Sequence, residues 1–88
     1  MKLTGEFILR EVGGDILAIP VGKTALNFNG MIFINEVGAE IFKALQCEKT
    51  KDEILEIILE KFEVSHEEAT VDLDDFLHNL REKNLLED

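Results

Sequence analysis

The chain has 88 residues, which is room for one hydrophobic core and not for two, so we expect a single domain over residues 1–88. Hydrophobic residues make up 45% of it and charged residues 32%, a composition that excludes a disordered protein. One cysteine excludes an internal disulfide and a multi-cysteine zinc site, and it favours a cytoplasmic protein. No apolar run is long enough for a signal peptide or a membrane span.

The net charge of −10 belongs entirely to the later part of the chain. Residues 1–34 carry three basic and three acidic side chains, whereas residues 35–88 carry six basic and sixteen acidic ones. An acidic surface repels phosphate groups, so we expect neither nucleic acid nor an anionic membrane as a partner. Two interpretations stay open: a solvated face that keeps the protein soluble, or a surface complementary to a basic partner.

The first third of the chain has the pattern of β-strands. Residues 7–12 alternate and end at Gly13-Gly14, which predicts a strand followed by a tight turn. Residues 16–21 predict a second strand, and Pro20 suits its end because proline cannot donate a ladder hydrogen bond.

A hairpin is predicted next. The apolar runs 25–28 and 31–34 flank Asn29-Gly30, a dipeptide typical of a two-residue hairpin turn because both of its residues must adopt positive φ. The whole segment therefore predicts a small antiparallel sheet of three or four short strands.

Three helices are predicted after the sheet. Asn35 can cap the first, Thr50 with Glu53 forms a capping box for the second, and Ser65 with Glu68 repeats that motif for the third. Apolar residues recur at three- and four-residue steps in each helix. Strands followed by helices predict an α+β fold with segregated elements.

The end of the third predicted helix is also marked. Asn84 tolerates the left-handed conformation that stops a helix, and Leu85-Leu86 can then fold back onto the core. A sheet with three helices is typical of a winged helix-turn-helix as well. The net charge of residues 65–83 is −4, which argues against the basic recognition helix of a DNA-binding protein of that class.

No catalytic or metal-binding pattern is recognisable. Cys47 has no histidine near it in the sequence and is expected to be a buried or incidental thiol. His66 and His78 are twelve residues apart, or roughly 18 Å along a helix, which is too far to share a metal ion. The carboxylates within residues 72–75 are typical of a solvated helix face. We therefore expect no enzymatic activity, no metal and no cofactor.

Three segments together resemble the PqqD family, which is named for the small protein D of pyrroloquinoline quinone biosynthesis. They are Ala18-Ile19-Pro20-Val21-Gly22, Ile34-Asn35-Glu36-Val37-Gly38-Ala39-Glu40-Ile41, and Asp72-Leu73…Phe76-Leu77…Leu80…Leu85-Leu86. The likeness covers roughly residues 6–87 and depends on the order and spacing of these segments. The chain departs from the family pattern at residues 23–30, which resemble an insertion, at Phe42, where Trp or Leu is common, and at Asn84, where Gly is usual.

The resemblance implies a winged helix-turn-helix-like fold, a three-stranded antiparallel sheet followed by three helices, without catalysis of its own. Members of the family bind the leader segment of a ribosomally made precursor peptide and present it to a modifying enzyme, often a radical S-adenosylmethionine protein. The leader adds as a strand along the third strand, which the resemblance maps to Met31–Ile34, and it lies against the third helix. The peptide-binding residues implied here are Met31, Ile32, Phe33, Ile34, Asp72, Asp75, Phe76, Asn79 and Lys83.

The residues themselves support this mechanism in one respect. Met31–Ile34 is apolar and has no lysine or proline to protect it, as an edge strand that accepts a peptide would be. A strand buried on both faces would have the same pattern. Phe76 fits core packing as well as a groove wall.

Two other classes of function stay open on the sequence. One is a non-catalytic interaction subunit that binds a basic protein partner, and the other is a winged-helix transcriptional regulator, which the acidic third helix opposes. An unprotected edge strand can also pair with itself, so we expect a monomer or a weak homodimer.

Overall fold

The protein is described by a computed structural model that covers residues 1–28 and 30–88. The strands are β1 (Lys2–Leu3), β2 (Phe7–Val12), β3 (Asp15–Pro20), β4 (Ile32–Ile34) and β5 (Leu86–Glu87). The helices are α1 (Thr24–Asn27), α2 (Glu36–Ala44), α3 (Lys51–Lys61) and α4 (His66–Glu82). The fold is α+β, as predicted, and it is compatible with a winged helix. The three predicted helices are α2, α3 and α4, whereas α1 was not predicted.

The main sheet is antiparallel in the order β2-β3-β4. The turn between β2 and β3 is confirmed, since Gly13 and Gly14 have φ of 57° and 89°, values that glycine adopts at little cost. On its other side β3 pairs with β4, with Leu17 opposite Phe33. β4 is therefore an edge strand.

The predicted hairpin around Asn29-Gly30 is wrong. Residues 25–27 belong to α1, and β4 pairs with β3 instead of with the residues that precede the dipeptide. Asn29 itself lies outside the described residues. β4 also begins at Ile32, one residue later than the predicted strand.

Tertiary contacts around α1 explain the difference. The Thr24 hydroxyl accepts a hydrogen bond of 2.7 Å from the backbone N–H of Glu6, which holds the start of the helical turn against the chain before β2. At its other end the Phe28 ring packs edge to face on Phe7, with 5.9 Å between ring centroids. The apolar run 25–28 thus contributes a residue to the core and not a strand to the sheet.

A second pairing, between β1 and β5, joins two distant parts of the chain. Leu3 is opposite Leu86, and the backbone N–H of Thr4 donates to the carbonyl of Leu85 at 2.9 Å. Asn84 has a φ of 58°, so the predicted left-handed stop is confirmed. Leu85 is buried, as expected for a segment that folds back.

The helix starts follow the predicted caps, with one difference. The Asn35 side chain accepts from the backbone N–H three residues on, at 2.8 Å. Thr50 and Glu53 form the full capping box. The Ser65 hydroxyl accepts from the backbone N–H of Glu68 at 3.1 Å, but the Glu68 carboxylate accepts from that same hydroxyl at 3.2 Å, in place of the backbone N–H that a capping box uses.

The core lies between the inner face of the sheet and the helices α2, α3 and α4. Phe42 is completely buried at the centre of this core. Its ring packs edge to face on the rings of Phe7 and Phe76, with centroid distances of 5.3 and 6.4 Å. Burial of each such side chain stabilises the fold by about 1.5–3 kcal/mol. The other large side chains that are fully buried are Ile41, Leu45, Ile54, Ile58, Leu73 and Leu77.

Two further sequence predictions concern features outside the core. Cys47 is exposed, so of the two alternatives, a buried thiol or an incidental one, the buried thiol is excluded. Over residues 1–28 and 30–88, no helix has the length and apolar character needed to cross a membrane.

Candidate functional site

A groove separates β4 from the C-terminal half of α4. It contains a cavity of about 290 Å³. Residues from the strand form one wall and residues from the helix form the other: Ile32, Phe33, Ile34 and Asn35 on β4 and its end, and Phe76, Asn79, Leu80 and Lys83 along α4.

A second cavity, of about 190 Å³, continues this groove toward the start of α2. It shares Asn35, Phe76 and Asn79 with the first cavity and adds Asp72 and Asp75. We call the combined feature the β4–α4 groove. From Asp72 to Lys83 it follows α4 for about 16 Å, at the helical rise of about 1.5 Å per residue.

Eight of the nine residues predicted from the sequence line this groove. The exception is Met31, which lies before β4, is exposed and lines neither cavity. Five further residues line the groove and are not in the sequence prediction: Asn35, Val37, Gly38, Ile41 and Leu80. In the sequence Asn35 is recognisable only as a helix cap, and no local pattern distinguishes a glycine that contacts an aromatic ring from one that ends an element.

The edge strand β4 exposes one face and buries the other in part. Ile32 and Ile34 are half-buried, whereas Phe33 is 70% exposed. The alternative of a strand buried on both faces is therefore wrong. Because successive side chains of a strand point to opposite faces, Phe33 stands with Leu17 on the outer face of the sheet, while Ile32 and Ile34 lie on the face toward the core.

Phe76 belongs to the core and to the groove at once. Its ring packs on Phe42, yet it lines both cavities and is only half-buried. A Cβ atom on Gly38 would lie 2.7 Å from Cε1 of this ring, so the ring contacts α2 where that helix has no side chain. The two interpretations of Phe76 are both correct.

The charges along α4 divide into paired and unpaired groups. Asp74 forms an ion pair with Lys51 of α3, and Arg81 donates two hydrogen bonds to Asp88 at 2.9 and 3.2 Å. The hydrogen bonds from Arg81 lower the pKa of the Asp88 carboxyl. Among residues 1–28 and 30–88, by contrast, no ion-pair partner contacts Asp72, Asp75 or Lys83. The groove therefore has an acidic end and a basic end.

A larger cavity of about 590 Å³ lies between the β2–β3 turn, α2 and the end of α3. Both of its basic side chains are paired with one carboxylate: Glu40 accepts from Lys61 Nζ at 3.0 Å and from Lys43 Nζ at 3.5 Å. The hydrogen bond from Lys61 is the main reason why the pKa of Glu40 is lowered, against a smaller opposing effect of burial. These contacts join α2 to α3, and we assign them a structural role.

Both histidines lie on α4 and are exposed. In the part of the chain that the structure describes, no three His, Cys, Asp or Glu side chains form a group that could hold a metal ion. The groove itself combines an edge strand, an aromatic wall and opposite charges at its ends, which are features of a surface that binds an extended chain.

Comparisons with known proteins agree with this description. The family model for coenzyme PQQ synthesis protein D (PqqD) matches residues 21–86. The fold is similar to that of TbiB1, solved in complex with the TbiA(beta) leader peptide, with a TM-score of 0.71 and 24% sequence identity over 99% of this chain and 95% of that chain. No curated protein matches the chain.

Proposed function

The chain belongs to the PqqD family, and from this premise we propose that it binds the leader segment of a ribosomally made precursor peptide and presents it to a modifying enzyme. In this proposal residues 1–88 act as one peptide-recognition domain without catalysis of its own. The modifying enzyme is a radical S-adenosylmethionine protein. This enzyme and the peptide-recognition domain both work in the cytoplasm.

The observation that carries the proposal is the edge strand β4 beside the helix α4. Among residues 1–28 and 30–88, β3 is the one strand that pairs with β4, so the other side of β4 offers backbone N–H and C=O groups to an added strand. The wall that faces it across the groove includes Phe76 and Leu80. TbiB1, whose fold the chain shares, was solved with a leader peptide, and that likeness supports the proposal.

The two faces of β4 define how such a strand is recognised. Side chains opposite each other on neighbouring strands share a face. Residues of the leader that lie opposite Ile32 and Ile34 therefore point toward the core side and α4, and the residue opposite Phe33 points outward beside that exposed ring. β4 has three residues, so backbone hydrogen bonds are few and the side chains supply most of the selectivity.

A backbone-methylation scan tests the strand mechanism without changing the protein. The candidate leader is to be sought in a short open reading frame beside the gene, and the absence of such a frame would count against the proposal. The peptide is synthesised with a fluorescent label and titrated by anisotropy. Methylation of single backbone nitrogens should weaken binding at every second residue, since a strand alternates its N–H groups between its two edges. A set of sensitive positions without this period of two would contradict strand addition.

The partner enzyme is tested separately. If the neighbouring genes encode a radical S-adenosylmethionine protein, leader-containing precursor should be modified much faster when the adaptor is present than when it is omitted. An equal rate in both reactions would contradict the adaptor role. Sedimentation of the free protein shows, in addition, whether β4 is occupied by a second copy before the leader binds.

A further inference from the structure

The opposite charges at the two ends of the β4–α4 groove restrict which peptides it accepts. Resting on the proposed function, we infer that the bound segment has a basic residue before its apolar centre and an acidic residue after it. The inference depends on three observations: the position of each charge, its lack of a partner, and the direction of β4.

The positions follow from the cavities. Lys83 lines the same cavity as Ile32, at the start of β4, and lines no part of the cavity at the other end. Asp72 and Asp75 line the cavity that Val37 and Gly38 also line, beyond the end of β4. The basic end of the groove thus lies at the start of β4 and the acidic end lies beyond its last residue.

Among the described residues, these three side chains carry the only formal charges that line the groove. Asp74 and Arg81, which lie between them in the sequence, are paired with Lys51 and Asp88. Of the described residues, none forms an ion pair with Asp72, Asp75 or Lys83. An incoming peptide therefore meets two carboxylates at one end and an ammonium group at the other without having to displace an existing partner.

The direction of the peptide follows from the sheet. β2, β3 and β4 are antiparallel throughout, and an added antiparallel strand continues this arrangement with slightly more stable pairing than a parallel one. Such a strand begins at the Asp72 end and finishes at the Lys83 end. About five strand residues, at about 3.3 Å each, span the 16 Å or so between the two ends.

The order of charges is tested by selection from a displayed library of random peptides. Peptides enriched on the wild-type protein should carry Lys or Arg on the N-terminal side of an apolar centre and Asp or Glu on its C-terminal side. Enrichment with the opposite order, or with no order, would overturn the inference but leave peptide binding intact. The absence of any enrichment would contradict the proposed function itself, so the two failures are distinguishable.

A charge-reversed protein sharpens the test. The triple variant Asp72→Lys, Asp75→Lys and Lys83→Glu should select the reverse order. The control Lys49→Glu, Glu56→Lys and Glu60→Lys makes the same change of net charge at residues that line neither cavity, and it should select the wild-type order. Circular dichroism confirms that both variants are folded.

The selected peptides also provide a quantitative test. Exchange of the basic and acidic residues in one selected peptide should raise its Kd for the wild-type protein about tenfold. Each exposed ion pair contributes little by itself, but the exchange replaces attraction by repulsion at both ends of the groove. This ratio should fall toward one at high salt. Equal Kd values for the two peptides at low salt would overturn the inferred charge order.

Discussion

The ring of Phe76 lies against Gly38, where a Cβ atom would stand 2.7 Å from the ring carbon Cε1. The same Cβ would lie 3.3 Å from Cβ of Ile34. One position in α2 therefore determines how closely α4 and the end of β4 approach, and it places the aromatic wall of the groove.

We predict that Gly38→Ala destabilises the protein, although alanine is the better helix former. In an open helix this change stabilises by up to about 1 kcal/mol. Here the Phe76 ring must move, and forcing an extra carbon into a packed site typically costs about 1–3 kcal/mol. Denaturant unfolding measures the change, and a variant more stable than wild type would contradict it. Phe76→Leu in the same chain should recover part of the loss, since the smaller side chain makes room.

Phe33→Ala should weaken peptide binding and leave stability within about 0.5 kcal/mol of wild type, since the side chain is largely exposed and surface changes of this kind cost little. The reason for the weaker binding is the loss of a cross-strand contact on the outer face. Leu26→Ala is the matched control, because Leu26 is 84% exposed and lines neither groove cavity. Unchanged leader affinity for Phe33→Ala would exclude the outer face from recognition.

Asn79→Ala tests the helix wall of the groove. Asn79 is exposed and lines both cavities, so loss of its amide should reduce leader affinity without a change in helicity or Tm. His78→Ala serves as the control on the same helix, because His78 lies outside both cavities. If the loss of affinity follows a loss of stability, Asn79 has a structural role instead.

Glu40→Gln should lower the free energy of unfolding by about 0.5–1 kcal/mol at neutral pH, since the ion pairs with Lys61 and Lys43 are lost. The pKa of Glu40 is lowered in the folded protein. The carboxylate therefore stabilises the fold at pH values above its ordinary pKa of 4.5, and this stabilisation is lost as the pH falls through the lower pKa of the folded state. The difference between wild type and variant should therefore be constant near neutral pH and shrink below about pH 4.5. A difference that does not depend on pH would contradict this assignment, and Glu56→Gln, an exposed carboxylate on α3, is the control.

Under the proposed function, the acidic surface should affect how fast the protein meets the modifying enzyme. The net charge of −10 should accelerate encounter with a basic patch on the modifying enzyme, so the association rate should fall as salt rises from about 0.05 to 0.5 M, where the screening length shrinks to a few ångström. The dissociation rate should change less. Stopped-flow kinetics measure both, and a flat association rate would mean that the acidic face serves solubility alone.

The helix starts were predictable from the sequence because a cap is a local interaction. Asn35, Thr50 and Ser65 each bind a backbone N–H three residues on, and that spacing is visible in the chain itself. The turn at Gly13-Gly14 is local in the same sense. Most of the groove followed as well, because the periodicity of α4 and the family resemblance placed its residues on one side of a helix beside an apolar strand.

Contacts between distant residues decided the rest. The sequence preference for a hairpin between the runs 25–28 and 31–34 is outweighed by two tertiary contacts, the packing of Phe28 on Phe7 and the hydrogen bond between Thr24 and Glu6. In each contact the two residues lie about twenty positions apart in the chain. The pairing of β1 with β5 joins two segments that lie far apart in the sequence. The double role of Phe76 depends on Gly38, on another helix. A pattern within a short window carries no information about such partners, since burial and steric fit arise only when remote segments pack together.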